Sequence, residues 1–121
     1  MLKETNLVQL KEEVQKNPSA KFYICMRNPP TDIQYEIGRI EKCTDLSPSE
    51  NLSRDFRGKL INWTGFVTKF IKEMRSTKCK ELMNTVKKES SDHDIYLVCS
   101  CSEFCHKFIL IDIIDKLGTV R

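Results

Sequence analysis

Thirteen residues near the end of the chain, Ile95-Tyr-Leu-Val-Cys-Ser-Cys-Ser-Glu-Phe-Cys-His-Lys107, constrain the fold more than any other stretch. A β-branched and aromatic run closes on Cys99, a short polar segment follows, and a long apolar helix begins. That pattern predicts a buried strand emptying into a helix N-terminus. In open α/β sheets this edge, outside the carboxyl ends of the strands, is where ligands bind. If any part of the chain does chemistry, the sequence puts it there.

The rest of the chain supplies the elements such a sheet needs. Leu7, Leu10 and Val14 recur at helical spacing and predict a first helix over residues 4–16, stopped by Asn17-Pro18. Residues 21–26, Lys-Phe-Tyr-Ile-Cys-Met, are short, aromatic and β-branched between turn formers, which predicts a buried strand. Ile33, Tyr35 and Ile37 alternate with polar residues at the period of a half-buried strand reaching about Ile40. Ser47-Pro48-Ser49-Glu50 has the hydroxyl, the proline and the reciprocal carboxylate of a capping box, so a short helix is expected from there to about Phe56, ended at Gly58. Asn62 is placed to cap a helix carrying Trp63, Phe66, Val67, Phe70, Ile71 and Met74 on one face. Cys79, Leu82, Met83 and Val86 repeat that spacing over residues 77–89, and the last helix is expected over 103–117. Apolar strands separated by helical crossovers pair in parallel. The expectation is a small single α/β domain with a short, mostly parallel sheet flanked by helices.

Charge and cysteine content limit the classes of function. Residues 54–88 hold ten Lys or Arg against three acids, so this segment is +7 and the remainder −4. Such a segment suits a polyanion-binding or nucleic-acid-binding module without catalysis, but basic runs are more often the solvated faces of amphipathic helices, and that reading is favoured. No stretch is long and apolar enough to span a bilayer, and Met1-Leu-Lys-Glu-Thr-Asn6 is polar where a secretory signal would be apolar. A cytoplasmic protein is therefore expected, with its six cysteines reduced. No cofactor motif is present.

The residues then acquire a context. Leu46-Ser-Pro-Ser49, Leu52, Phe56, Gly58, Ile61-Asn-Trp63, Phe66, Phe70 and Glu73-Met74, followed by Leu97-Val-Cys99, Cys105-His106 and Leu110, resemble in order and spacing the domain-of-unknown-function family 488, small prokaryotic α/β proteins of unestablished activity. The likeness covers residues 21–117 and leaves residues 1–17 as an added N-terminal helix. It implies a bacterial or archaeal source. In that family the last strand ends in Cys, and Cys-His-Arg opens the final helix; here Cys99, Cys105 and His106 match and Lys107 replaces the Arg. Arg27-Asn-Pro-Pro30 has no secure counterpart.

Cys99, Cys105 and His106 are thus the candidate catalytic residues, with Ser102 and Lys107 the candidate ligands of a small anion. A helix N-terminus favours thiolate and offers N–H groups to an anion, and His106 is a candidate base for a neighbouring thiol. Against this, a phosphatase-type loop needs an Arg where Lys107 stands, and lysine lacks the planar fork. The packing alternative makes Cys99 a buried strand end and has His106 bonded to backbone. Zinc is disfavoured, because Cys99, Cys101, Cys105 and His106 are not two separated ligand pairs. A disulfide among Cys99, Cys101 and Cys105 is the remaining reading, favoured in a hyperthermophile.

Overall fold

The computed structural model describes residues 1–33, 39–99 and 106–117. Among these residues four parallel strands, β1 (Leu2–Asn6), β2 (Lys21–Ile24), β3 (Ile40–Lys42) and β4 (Ile95–Cys99), form one sheet in the order β1-β4-β2-β3. The α-helices that accompany them are α1 (Leu7–Lys16), α2 (Glu50–Arg57), α3 (Trp63–Glu73), α4 (Thr77–Glu89) and α5 (His106–Asp115). This is the α/β architecture expected from alternating apolar strands and amphipathic helices.

Strand alternation divides the core in two. Phe22, Ile24, Ile40, Tyr96 and Val98 point to the face covered by Leu10 of α1, and the stacked pair Phe22–Tyr96, 4.8 Å between ring centroids, sits directly across the β2–β4 register. Such cross-strand aromatic pairs fix register, because a slip of one residue would turn both rings to the opposite face. Tyr23, Cys25, Ile95 and Leu97 point the other way, into the larger cluster built with Leu52, Phe66, Phe70, Met83, Val86, Leu110 and Ile114 from α2–α5. β4 is buried along its whole length, as a central parallel strand with both faces covered must be.

The first element departs from expectation. Residues 2–6 pair with β4 as an edge strand, and the helix begins only at Leu7, capped by Asn6 accepting from the Gln9 N–H. Leu-Lys-Glu-Thr-Asn has no apolar alternation because an edge strand needs to suit one neighbour only. What holds it is the five-residue register with β4 and an ion pair from Glu4 to α5. The strand expected from Ile33 falls partly outside the described residues; Ile33 itself lies in a bend and β3 starts at Ile40.

The capping box also resolves differently. Ser49, not Ser47, caps α2, accepting from the Leu52 N–H at 3.2 Å. The carboxylate that receives the cap's own N–H is Glu73 at the end of α3, at 2.9 Å, and it also accepts from the Ser49 hydroxyl. The reciprocal acid thus comes from 24 residues away and ties α2 to α3. At the other end, Lys59 N–H bonds the Phe56 carbonyl and Leu60 N–H bonds the Asp55 carbonyl, a Schellman closure. Its left-handed position falls on Lys59 (φ 61°), one residue past the expected Gly58.

Candidate functional site

The carboxyl edge of the sheet opens into a cleft of about 420 Å³. Its wall is made by Met26, Arg27 and Asn28 as the chain leaves β2, by Cys99 at the tip of β4, and by His106 at the start of α5. Pro48, Glu50, Ser53, Phe56 and Arg57 from α2 and its approach close the opposite side, with Phe66 of α3 behind. Parallel strands deliver these residues because every carboxyl end points the same way, and α2 reaches the edge because Glu73 holds its N-terminus.

Each side chain is positioned by an identifiable contact. Arg27 donates from Nε and Nη2 to the Pro48 carbonyl, at 3.3 and 3.0 Å, which fixes the plane of its guanidinium at the cleft wall. Arg57 stands in the last turn of α2 and reaches back to the Ser53 carbonyl through Nε at 3.4 Å. Two guanidinium groups against the single carboxylate of Glu50 make the lining cationic. His106 is buried and donates from Nε2 to the Cys25 carbonyl at 2.5 Å, with its ring edge-on to Phe70 at 5.7 Å. Burial lowers its pKa below the usual histidine value, only partly opposed by that carbonyl bond, so the ring is neutral near pH 7. With Nε2 carrying the proton, Nδ1 is the acceptor nitrogen.

The structure thus brings Cys99 and His106 into one cleft, but in the manner of the packing alternative as well: Cys99 is 1% exposed and His106 is held by backbone. Cys99 is disulfide-bonded, whereas Cys25, Cys43 and Cys79 are buried thiols. The expectation of reduced cysteines is therefore corrected for Cys99. Cys105 and Ser102 lie outside the described residues. Lys107 points away from the anion role expected of it. Its buried ammonium sits 2.8 Å from Glu4 Oε2 and donates to the Thr5 carbonyl at 3.0 Å, on β1. Neighbouring helical positions diverge by about 100°, which is why His106 can face the cleft while Lys107 faces the edge strand.

Arg27 and Arg57 did not stand out in the sequence. The signal for Arg27 was its place two residues past a buried strand, at a parallel sheet's carboxyl edge; Arg57 was hidden among the basic residues of 54–88. Most of that segment does form solvated helix faces: Lys69, Lys72, Arg75, Lys80 and Lys88 are on the wet sides of α3 and α4 or the turn between them, and Lys78 pairs with Asp45. Among the described residues no group of three or more metal-ligating side chains converges. Nor is any described helix long and apolar enough to cross a membrane.

The family model described as the active DUF488-N3 subclade matches residues 5–118. The chain belongs to the DUF488 family. No curated protein and no solved structure matches it. The resemblance read from Leu46–Met74 and Leu97–Leu110 is thereby borne out, and the matched span takes in α1 as well as everything from there to residue 118. In this DUF488 chain the family-like residues Cys99 and His106 share the cleft that Arg27 and Arg57 make cationic.

Proposed function

We propose that the cleft at the carboxyl ends of β2 and β4 binds a small anionic ligand beside a redox-active cysteine, Cys99. The observation that carries the reading is the convergence of Cys99, His106, Arg27 and Arg57 on one cleft of about 420 Å³, a volume suited to a small molecule. In this reading Arg27 and Arg57 are the anion ligands, through the guanidinium N–H groups not spent on the Pro48 and Ser53 carbonyls. Lys107 supports them indirectly, by anchoring α5 to β1. Ser102 and Cys105 keep their expected parts as hydroxyl ligand and second thiol. Exchange with an external thiol, which is oxidised in turn, frees the Cys99 sulfur as the nucleophile, and neutral His106 is its candidate base through Nδ1. The designation of the matching subclade as active accords with a reacting site.

Trp63 supplies the assay. It is the only tryptophan of the chain and stacks on Phe66 (5.2 Å) and packs on Phe56 (5.7 Å), both of which line the cleft. Titration with inorganic phosphate should change its fluorescence saturably, and Arg27→Ala or Arg57→Ala should weaken binding about tenfold or more, the loss of one charge-assisted pair. A saturable change that survives both substitutions, or none in the parent protein, overturns the reading. Phosphate binding lost instead when Lys69, Lys72 and Lys80 are neutralised together would assign the anion to the basic faces of α3 and α4.

A further inference from the structure

Three cysteines end three neighbouring strands at one level. The β2–β3 register pairs Ile24 with Lys42, and the β2–β4 register pairs Ile24 with Val98, so the next positions along are Cys43, Cys25 and Cys99 side by side. The ladder continues through them: Cys25 N–H bonds the Val98 carbonyl and Cys43 N–H bonds the Ile24 carbonyl, both at 2.9 Å. Strand parity turns all three side chains to the face that carries α2–α5, since Cys25 and Cys43 belong to that cluster and Cys99 follows Ile95 and Leu97 by steps of two. Neighbouring strands lie about 4.8 Å apart, within the roughly 4.4–6.8 Å of Cα separation that a disulfide spans. We propose that this row is an internal thiol–disulfide relay, in which the oxidising equivalent held at Cys99 passes to Cys25 and then to Cys43.

The steps balance without an outside reagent. Cys25 gives up its proton and its sulfur attacks the Cys99 sulfur; a Cys25–Cys99 bond forms, the existing bond at Cys99 breaks, and the departing cysteine leaves as thiolate and takes up a proton. Cys43 then attacks the Cys25 sulfur, forming Cys25–Cys43 and releasing Cys99 as thiolate into the cleft. One disulfide is present throughout, so no electrons enter or leave. The neighbouring Cys43 thiol and full burial raise the Cys25 pKa, so the first exchange, in which Cys25 must ionise, is the slow one. The result is a free nucleophile beside Arg27 and Arg57, with the disulfide stored under α2–α4.

The relay rests on the reading of Cys99 as redox-active but not on anion binding, so the two fail separately. The test equilibrates the folded full chain in glutathione buffers of graded oxidised-to-reduced ratio, quenches with acid, blocks thiols with N-ethylmaleimide and maps disulfides by peptide mass spectrometry. Cys25–Cys99 and Cys25–Cys43 linkages are expected over an intermediate range of ratios. In Cys43→Ala the Cys25–Cys99 species should accumulate, and in Cys25→Ala Cys43 should form no intramolecular disulfide at any ratio. Far-UV circular dichroism checks that both variants fold, and the disulfide map of the parent protein decides the matter even if they do not. Recovery of Cys25 and Cys43 as thiols at every ratio, or their linkage only after denaturant is added, overturns the relay.

Discussion

Lys107 and Glu4 form a strut whose two ends differ in burial, and that asymmetry makes an unequal prediction. The Lys107 side chain is 3% exposed and that of Glu4 39%. In Lys107→Met the aliphatic stem is replaced at similar volume, and Glu4 turns to water at little cost. The Thr5 carbonyl loses its ammonium donor on a residue that is itself buried, so the loss is about 2 kcal/mol, that of an unsatisfied buried acceptor. Glu4→Ala instead leaves an ammonium without its counter-charge in a buried position. Removing one partner of a buried pair costs about 3–5 kcal/mol, and the lower end applies because the space vacated by Glu4 admits water. At roughly 4 °C per kcal/mol for a domain of this size, the melting temperatures should fall by about 8 °C and about 12 °C. The double variant, with neither charge, should sit near Lys107→Met alone and well short of the sum. Urea unfolding followed by circular dichroism gives the free energies. If Glu4→Ala is the milder variant, or the double variant is additive, the strut does not hold α5 as described.

Three further perturbations probe other contacts. Lys59→Gly should stabilise the protein by about 1 kcal/mol in the same unfolding experiment, because it relieves a side chain in the left-handed region of a Schellman closure. Thr5→Val should be neutral or stabilising, since the Thr5 hydroxyl is buried with no hydrogen-bond partner among the described residues; a loss above about 1 kcal/mol would show that the hydroxyl is bonded in solution. His106 should make stability fall with acid. Its folded pKa is depressed by burial, so below the unfolded value of about 6.5 the unfolded chain binds more protons, and unfolding free energy declines from there until the folded pKa is passed. His106→Gln should flatten that part of the stability profile as pH falls below about 6.5; an unchanged slope would place the titration elsewhere.

The elements that were legible in the sequence are those whose burial writes a period into it. β4, β2 and the apolar stripes of α3 and α4 are of this kind, and so was the Asn62 cap, whose oxygen accepts from the Gly65 N–H at 2.8 Å. β1 was not legible, because it is an edge strand held by backbone pairing and by Lys107 rather than by its own apolar residues. The Ser49–Glu73 closure looks like a local box in the sequence because the acid that completes it lies on another helix. The strand-to-helix junction was enough to point to the cleft that Cys99 and His106 line, but not to the charge of its wall. Cys99 and His106 can be picked out from the chain alone, whereas the two arginines reach the cleft only through the tertiary placement of the β2 exit and of α2. The row Cys43, Cys25, Cys99 was equally hidden, since it exists only once the strand order and register are known.

An anion site and a reactive sulfur in the same cleft should compete, and the alkylation rate of Cys99 reads that competition. With the protein fully reduced and folded, iodoacetamide labelling resolved peptide by peptide should modify Cys99 ahead of Cys25, and inorganic phosphate should slow Cys99 severalfold in the parent but not in Arg27→Ala/Arg57→Ala. A Cys99 rate that phosphate leaves unchanged in the parent, at concentrations that saturate the Trp63 signal, would separate the sulfur from the anion and undo the proposed site.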